Sequence, residues 1–139
     1  MLTQLTLDTA QQAINHALAL AKNDYDNRPL SVAVCDQQGF LLAFARMDSA
    51  KLLTIELTQR KAYTSSRLGA TTEVFLQRLQ NEQLDIGYFG DDRFTALPGG
   101  IPLLNANKQC VGAVAVGGLS AKEDHEAAIK VAQFMHELA

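Results

Sequence analysis

Apolar residues recur along the chain with two different periods, and these periods predict four helices and two β-hairpins. A spacing of three to four residues, typical of one helical face, runs over residues 7–23, 52–69, 72–79 and 121–138. Two other stretches, 30–48 and 101–117, are rich in β-branched and alternating residues, and a short polar turn interrupts each one. The predicted order is helix, hairpin, two helices, irregular loop, hairpin and helix.

This order favours an α+β fold with an antiparallel sheet, because strands and helices do not alternate as a parallel sheet requires. The run from Val111 to Val116 is apolar on both faces, so we expect it in the middle of the sheet with a layer covering each side. Side chains at Thr6, Thr71 and Ser120 are suited to cap the helices that follow them, and Gly69 is suited to end the second helix.

Composition narrows the possible classes of protein. The chain has 139 residues, of which 47% are hydrophobic and 19% charged, and this predicts one globular domain over residues 1–139. A net charge of −3 disfavours general nucleic-acid binding. No apolar run is long enough to predict a membrane span, and no secretion signal is visible, so we expect a cytoplasmic protein. Cys35 and Cys110 form no C-x-x-C motif, which predicts two buried thiols and no metal site.

Three stretches in sequence carry a family resemblance: "SVAVCDQQGFLLAFARMDSAKLLTIELTQRKAYTSS", "PGGIPLL" and "CVGAVAVGG". In this order and spacing the chain resembles the GlcG/HbpS-like family, also found as the C-terminal domain of PduO-type proteins. The resemblance implies a profilin-like α/β fold, a central antiparallel five-stranded sheet with helices packed on both sides. It also implies homo-oligomers. Some members bind haem, whereas others accompany glycolate or diol metabolism.

The loop before the second hairpin combines glycine and proline in "PGGIP", residues 98–102. Glycine allows close backbone approach, and proline fixes φ. Pro98, Gly99 and Gly100 can therefore direct amide N–H groups at one point, which favours a negative ligand; Ile101 and Pro102 would complete the lining. The alternative is a tight entry into an edge strand, where Pro102 is tolerated because its missing donor faces solvent.

A cationic segment runs from Arg46 to Arg67, with five basic and two acidic residues in a chain that is negative as a whole. Arg60 is positioned to pair with Glu56 on the helix surface. Lys61 falls on a mostly apolar helical stripe, where an ammonium must reach water, pair with an acid such as Asp48, or contact an anionic ligand. These three interpretations stay open.

The second strand ends in Arg46, Met47 and Asp48, three residues with both a structural and a ligand interpretation. Asp48 could cap the next helix, Arg46 could clamp a carboxylate, and Met47 could fill a gap or pack against a flat ligand.

The three histidines, His16, His125 and His136, are isolated from one another in the sequence. His136 lies near a helix end, where a cation is favoured. His16, on the first helix, is the candidate axial ligand if haem binds, because the resemblance implies such a ligand on that helix. No nucleophile motif or paired acid and base is present, so we assign no catalytic residue.

These observations lead to one main hypothesis and one alternative. The main hypothesis is a protein that binds a small anionic ligand, with haem or a related tetrapyrrole as the favoured cofactor. Its pocket would lie between the Arg46–Lys61 region and the loop at 98–102, with a subunit interface as one possible location. The alternative is an enzyme or accessory subunit acting on a small carboxylate or aldehyde of glycolate or diol metabolism, with Lys61 as anion anchor or base.

Overall fold

A computed structural model describes residues 2–138 of the protein and contains the helices and strands in the predicted order. The helices are α1 (Leu7–Asp24), α2 (Leu53–Leu68), α3 (Thr72–Glu82) and α4 (Ala121–His136), and the strands are β1 (Ser31–Asp36), β2 (Leu41–Arg46), β3 (Gly100–Leu104) and β4 (Cys110–Gly117). A short 3₁₀ helix, Ile86–Phe89, lies in the irregular loop. None of the helices in this part of the chain has the length and apolar character needed to cross a membrane.

The sheet has four strands in the order β2-β1-β4-β3, all paired antiparallel, so the expectation of five strands is wrong. Within residues 2–138, all four strands belong to the two hairpins. The remaining long connection, residues 83–99, forms turns and the 3₁₀ helix because it is rich in glycine and aspartate. The doubly apolar β4 is central, as its pattern predicts, and β3 with Pro102 is an edge strand.

One face of the sheet packs against α1 and α4 through large aliphatic side chains. Val32, Val34, Val114 and Val116 point into this layer and meet a row of alanines on the two helices. Each of these valines is fully buried. This layer supplies most of the apolar area removed from water and therefore most of the hydrophobic stabilisation.

The opposite face packs against α2 through small side chains, which allows the helix to lie very close to the strands. Ala33, Ala113 and Ala115 meet Ala62 of the helix. A Cβ added to Gly100 would lie 2.4 Å from the Lys61 carbonyl oxygen. The helix therefore buries Thr54 and Thr58. Leu53, two turns before Lys61 on the mostly apolar stripe predicted for this helix, is instead 68% exposed.

The helix boundaries follow the capping signals in most places. Thr6, Thr71 and Ser120 each accept a hydrogen bond from a first-turn amide, and Gly69 ends α2 in the left-handed conformation. Asp48 does not cap α2, because that helix begins after Leu52 without any side-chain cap.

Candidate functional site

A buried ion pair joins α2 to the start of α4 at one end of the sheet. The ammonium of Lys61 has no exposed surface and donates to Asp124 Oδ2 and to the Val116 carbonyl oxygen, each at 3.0 Å. The second oxygen of Asp124 accepts from the Leu119 amide at 2.9 Å. Burial lowers the pKa of Lys61 and raises that of Asp124, while the attraction between the two charges opposes both shifts. Lys61 thus pairs with a structural acid, but the acid is Asp124 and not Asp48.

The glycine-proline loop lies directly against this pair. Gly99 has a φ of 134°, and a Cβ there would come within 2.5 Å of the Val116 carbonyl oxygen and 2.9 Å of Lys61 Nζ. Only glycine is compatible with both constraints. The Gly100 amide donates to the Thr72 hydroxyl at 3.0 Å, so one of the amides that could hold an anion already has a partner.

The other two residues of the loop motif belong to β3. Ile101 is buried in the aliphatic layer with Leu103, and Pro102 is partly exposed opposite Ala113. The structure therefore brings Lys61 together with Pro98, Gly99 and Gly100, all of them buried. This geometry matches the entry into an edge strand.

Arg46, Met47 and Asp48 line a different cleft, of about 500 Å³, on the far side of β2. Leu18 and Lys22 of α1 form its other wall. Met47 is anchored there, since its sulfur accepts from the Leu30 amide at 3.3 Å. Neither Lys61 nor the loop at 98–102 lines this cleft, so the predicted site residues fall into two groups.

The strand register explains the separation. Arg46 pairs with Ser31 of β1, and Ser31 pairs with Gly117 of β4, the strand that contacts Lys61. Two strand spacings of about 4.8 Å place the Arg46 backbone roughly 10 Å from this point. Of the cationic segment, Arg60 and Arg67 both lie beside Tyr63, whereas Lys61 is buried. Arg60 pairs with Glu56 at 3.1 Å as expected.

His16 stacks on Phe134 of α4, with ring centroids 4.1 Å apart and planes inclined by 6°. Its ring takes part in none of the hydrogen bonds found within residues 2–138. On the helical wheel His16 faces the α4 flank of α1, whereas Leu18 and Lys22 face the β2 flank. The imidazole and the Arg46 cleft are therefore not brought together within one protomer.

A second cavity, of about 280 Å³, was not predicted as a ligand site from the sequence. It lies between α2, the β1–β2 turn and the loop after the 3₁₀ helix, and Tyr63, Arg60 and Arg93 line it. Gly39 closes one side, where a Cβ would lie 2.6 Å from the Tyr63 ring. The only sequence signal was the glycine in the turn, because Arg93 lies in a loop without periodicity.

The chain is similar to known proteins both in sequence and in fold. The model of the family described as "Haem degrading protein HbpS-like" matches residues 5–133. Protein GlcG of Escherichia coli strain K12 is 31% identical over 91 residues, which make up 66% of this chain and 66% of GlcG. The match therefore spans just under two thirds of that relative.

Solved structures share the fold over nearly the whole chain. Protein ORFY of Klebsiella pneumoniae superposes with a TM-score of 0.88 at 26% identity, covering 100% of this chain and 96% of its own. A double mutant of HbpS from Streptomyces reticuli gives 0.83 at 30% identity, covering 96% and 88%. PduOC, in a complex with heme, gives 0.82 at 20% identity, covering 99% and 98%, which shows the fold alone.

Proposed function

The chain belongs to the HbpS-like family, and on that premise we propose that it binds haem or a related tetrapyrrole as an assembly of identical subunits. The family is described as haem degrading, and HbpS itself is 30% identical to this chain over nearly its full length. PduOC, which shares the fold, forms a heme complex.

His16 is the residue that supports a haem ligand most directly. Its ring is half-buried and held parallel to Phe134, so its orientation is fixed. Its nitrogens have no competing partner in the described structure. An imidazole held in this way is suited to ligate iron. When bound, haem would supply an iron centre, and His16 would fix its position.

The cleft at Arg46 fits the remaining groups of a tetrapyrrole. Lys22 and Arg46 offer two cations for propionates, while Leu18 and Met47 offer apolar surface for the macrocycle. Asp48 adds a negative charge at the rim of the cleft. This charge would favour a hydrogen-bond donor, such as a protonated propionate, on the nearby edge of the tetrapyrrole. In this proposal Lys61 and residues 98–102 contribute by holding the end of the sheet that supports the cleft.

The positions of His16 and of the Arg46 cleft favour a tetrapyrrole site between subunits. A helix with its side chains is about 10–12 Å across, and His16 and the Arg46 cleft lie on opposite flanks of α1. One ligand contacting both would therefore be held by His16 of one protomer and by the cleft of another. Leu52 and Leu53, adjacent in sequence and 75% and 68% exposed, offer an apolar surface for self-association.

The compartment is also a proposal. Cys35 and Cys110 are both free thiols. Unpaired cysteines are typical of the reducing cytoplasm, and we propose that compartment for this chain.

Haem titration followed at the Soret band tests the proposal. We expect a saturable, shifted band, and we expect His16→Ala to change its position and weaken binding at least tenfold. His136→Gln is the matched control, because it removes a histidine yet keeps an acceptor for the Leu104 amide. Native mass spectrometry of the haem-loaded protein should show whole numbers of subunits per ligand. Absence of saturation, or equal effects of the two substitutions, would contradict the proposal.

An enzyme of glycolate or diol metabolism is supported less well. The proposed anchor or base, Lys61, is wholly buried, and its charge is balanced by Asp124. Turnover of a small carboxylate or aldehyde that is lost in Lys61→Met, while the variant stays folded, would favour this alternative over haem binding.

A further inference from the structure

The cavity of about 280 Å³ beside Tyr63 has an apolar floor and a cationic rim. Its floor is formed by Cys35 and Ala62, both almost fully buried. Phe40 and Leu41 form one wall and stay about half exposed at the mouth. Arg60 and Arg93 stand on the opposite side. A pocket of this kind combines apolar burial with a few convergent polar groups, which is the usual character of a small-molecule site.

The loop carrying Arg93 is fastened to α2 by side chains. Tyr63 donates its hydroxyl hydrogen to Asp91 Oδ2 at 2.6 Å, and Arg60 donates to the Asp92 carbonyl oxygen at 2.9 Å. The Thr95 amide donates to the Thr64 hydroxyl at 2.9 Å. The Arg93 side chain lies over the Tyr63 ring, 4.4 Å from its centroid. These contacts position the guanidinium before any ligand arrives, and this lowers the entropy cost of binding.

The two arginines at the rim differ in how well their charges are balanced. Arg60 pairs with Glu56. Arg93 has no acidic partner among the ion pairs found within residues 2–138, and its nearest polar contact is the Tyr63 oxygen at 3.4 Å. Asp91 is already engaged by Tyr63. Arg93 therefore presents its planar donor fork at the mouth of an apolar cavity, with the Asp91 carboxylate nearby but bound to Tyr63 and not to the guanidinium.

We propose that this cavity binds a small monocarboxylate with a compact apolar body, with the carboxylate on Arg93 and the body on Ala62 and Cys35. A guanidinium fork matches the two oxygens of a carboxylate. A doubly charged phosphate is disfavoured, because Glu56 also lines the cavity. The Cys35 thiol contributes packing, since burial raises its pKa to about 12.

This site is separate from the proposed tetrapyrrole site. The cavity lies on the α2 face of the sheet, whereas His16 lies between α1 and α4 on the other face. Its volume is also at or below the lower end of the range of about 300–1,000 Å³ for drug-sized ligands, which suits a much smaller molecule than haem. A variant that loses haem binding should therefore still bind the carboxylate, and a variant that loses carboxylate binding should still bind haem.

Benzoate is a suitable probe, and benzamide is its uncharged match. We expect benzoate to shift the backbone amide resonances of Gly39, Ala62 and Arg93 saturably in two-dimensional NMR, and benzamide to bind at least tenfold more weakly. Arg93→Gln should weaken benzoate binding at least about tenfold, and Arg93→Lys should lose less because it keeps the charge without the fork. Lys122→Gln, which removes one charge from an exposed position on α4, should bind as the parent protein does.

The outcomes are distinguishable. Saturable shifts that depend on Arg93 and on the carboxylate support the proposal, whatever the result of the haem titration. Equal shifts with benzoate and benzamide, shifts confined to α1 and β2, or unchanged binding by a folded Arg93→Gln variant would overturn it. The dispersion of each variant's NMR spectrum reports whether it is folded.

Discussion

The ammonium of Lys61 and the carboxylate of Asp124 meet 3.0 Å apart although 63 positions separate them in the sequence. Each side chain is at most 4% exposed, so the pair is shielded from solvent and from salt. It ties α2 to α4 around the end of β4, where the Val116 carbonyl oxygen accepts a second hydrogen bond from the same ammonium. Buried pairs of this kind contribute little net stability as a pair, but either charge alone is strongly destabilising.

Lys61→Met should lower the free energy of unfolding by about 3–5 kcal/mol, because it leaves the Asp124 carboxylate buried without a cation. Urea denaturation at neutral pH measures the change. In the double variant Lys61→Met with Asp124→Asn no buried charge remains, and we expect it to regain most of the loss. A single variant as stable as the parent, or a double variant no better than the single one, would contradict this account.

Gly100→Ala should destabilise the protein by about 1–3 kcal/mol, because the new methyl group would lie 2.4 Å from the Lys61 carbonyl oxygen and force α2 away from the sheet. Gly90→Ala is the matched control. It has a φ of 73° but no atom within 4 Å of the added Cβ, so it should lose only about 1–2 kcal/mol through backbone strain. Thermal unfolding of both variants compares steric crowding with strain. A Gly100→Ala variant as stable as the parent protein would argue against close packing of α2.

Local sequence patterns predicted the helices and strands, because each helix or strand depends mainly on residues that are close together in the sequence. The β-branched run at 111–116 indicated a central strand, and capping side chains at Thr71 and Ser120 marked helix starts. The acid beside Lys61 could not be identified in this way. Asp124 reaches it only because β4 and the turn after it place the first turn of α4 at the end of the sheet, and no spacing in the sequence records that approach.

The candidate sites were predictable only in part for the same reason. Lys61 and the loop at Gly99 do lie together, since both pack at the end of β4. Arg46 was grouped with them because it is close in sequence, but the strand order places it at the other edge of the sheet. The predicted apolar stripe on α2 was misleading because the facing strands present alanines, so small polar side chains pack there in place of leucines.

Thr58→Val should leave the free energy of unfolding unchanged or raise it. The Thr58 hydroxyl is buried between α2 and Gly117, and it has no hydrogen-bond partner within the described residues. Replacing an unpaired hydroxyl by a methyl group of similar size removes a desolvation penalty. Chemical denaturation of the variant measures the effect, with Thr64→Val as the control. The Thr64 hydroxyl donates to the Arg60 carbonyl oxygen at 2.7 Å and accepts from the Thr95 amide at 2.9 Å, so this variant should lose about 1–3 kcal/mol. A large loss in Thr58→Val would show that this hydroxyl has a partner.

Acidification should weaken the contact between α4 and β3 through His136. Its Nε2 accepts a hydrogen bond from the Leu104 amide at 3.0 Å. Burial lowers the pKa of the imidazole below the usual 6.5. This effect outweighs the stabilisation that a protonated histidine gains at a helix C-terminus. Below pH 6.5 the unfolded chain therefore takes up a proton before the folded protein does. The stability that His136 contributes above pH 6.5 is lost as the pH falls towards the pKa of His136 in the folded protein. The free energy of unfolding then falls by at most about 1.4 kcal/mol per pH unit.

His136→Gln tests this, because the amide oxygen can accept the same hydrogen bond but does not titrate. Urea denaturation between pH 7.5 and 5.5 should give a shallower pH dependence for the variant than for the parent, and the two should differ least at the upper end. The other two histidines, His16 and His125, are present in both proteins, so the comparison isolates His136. Parallel pH profiles would mean that the protonation of His136 is not linked to folding.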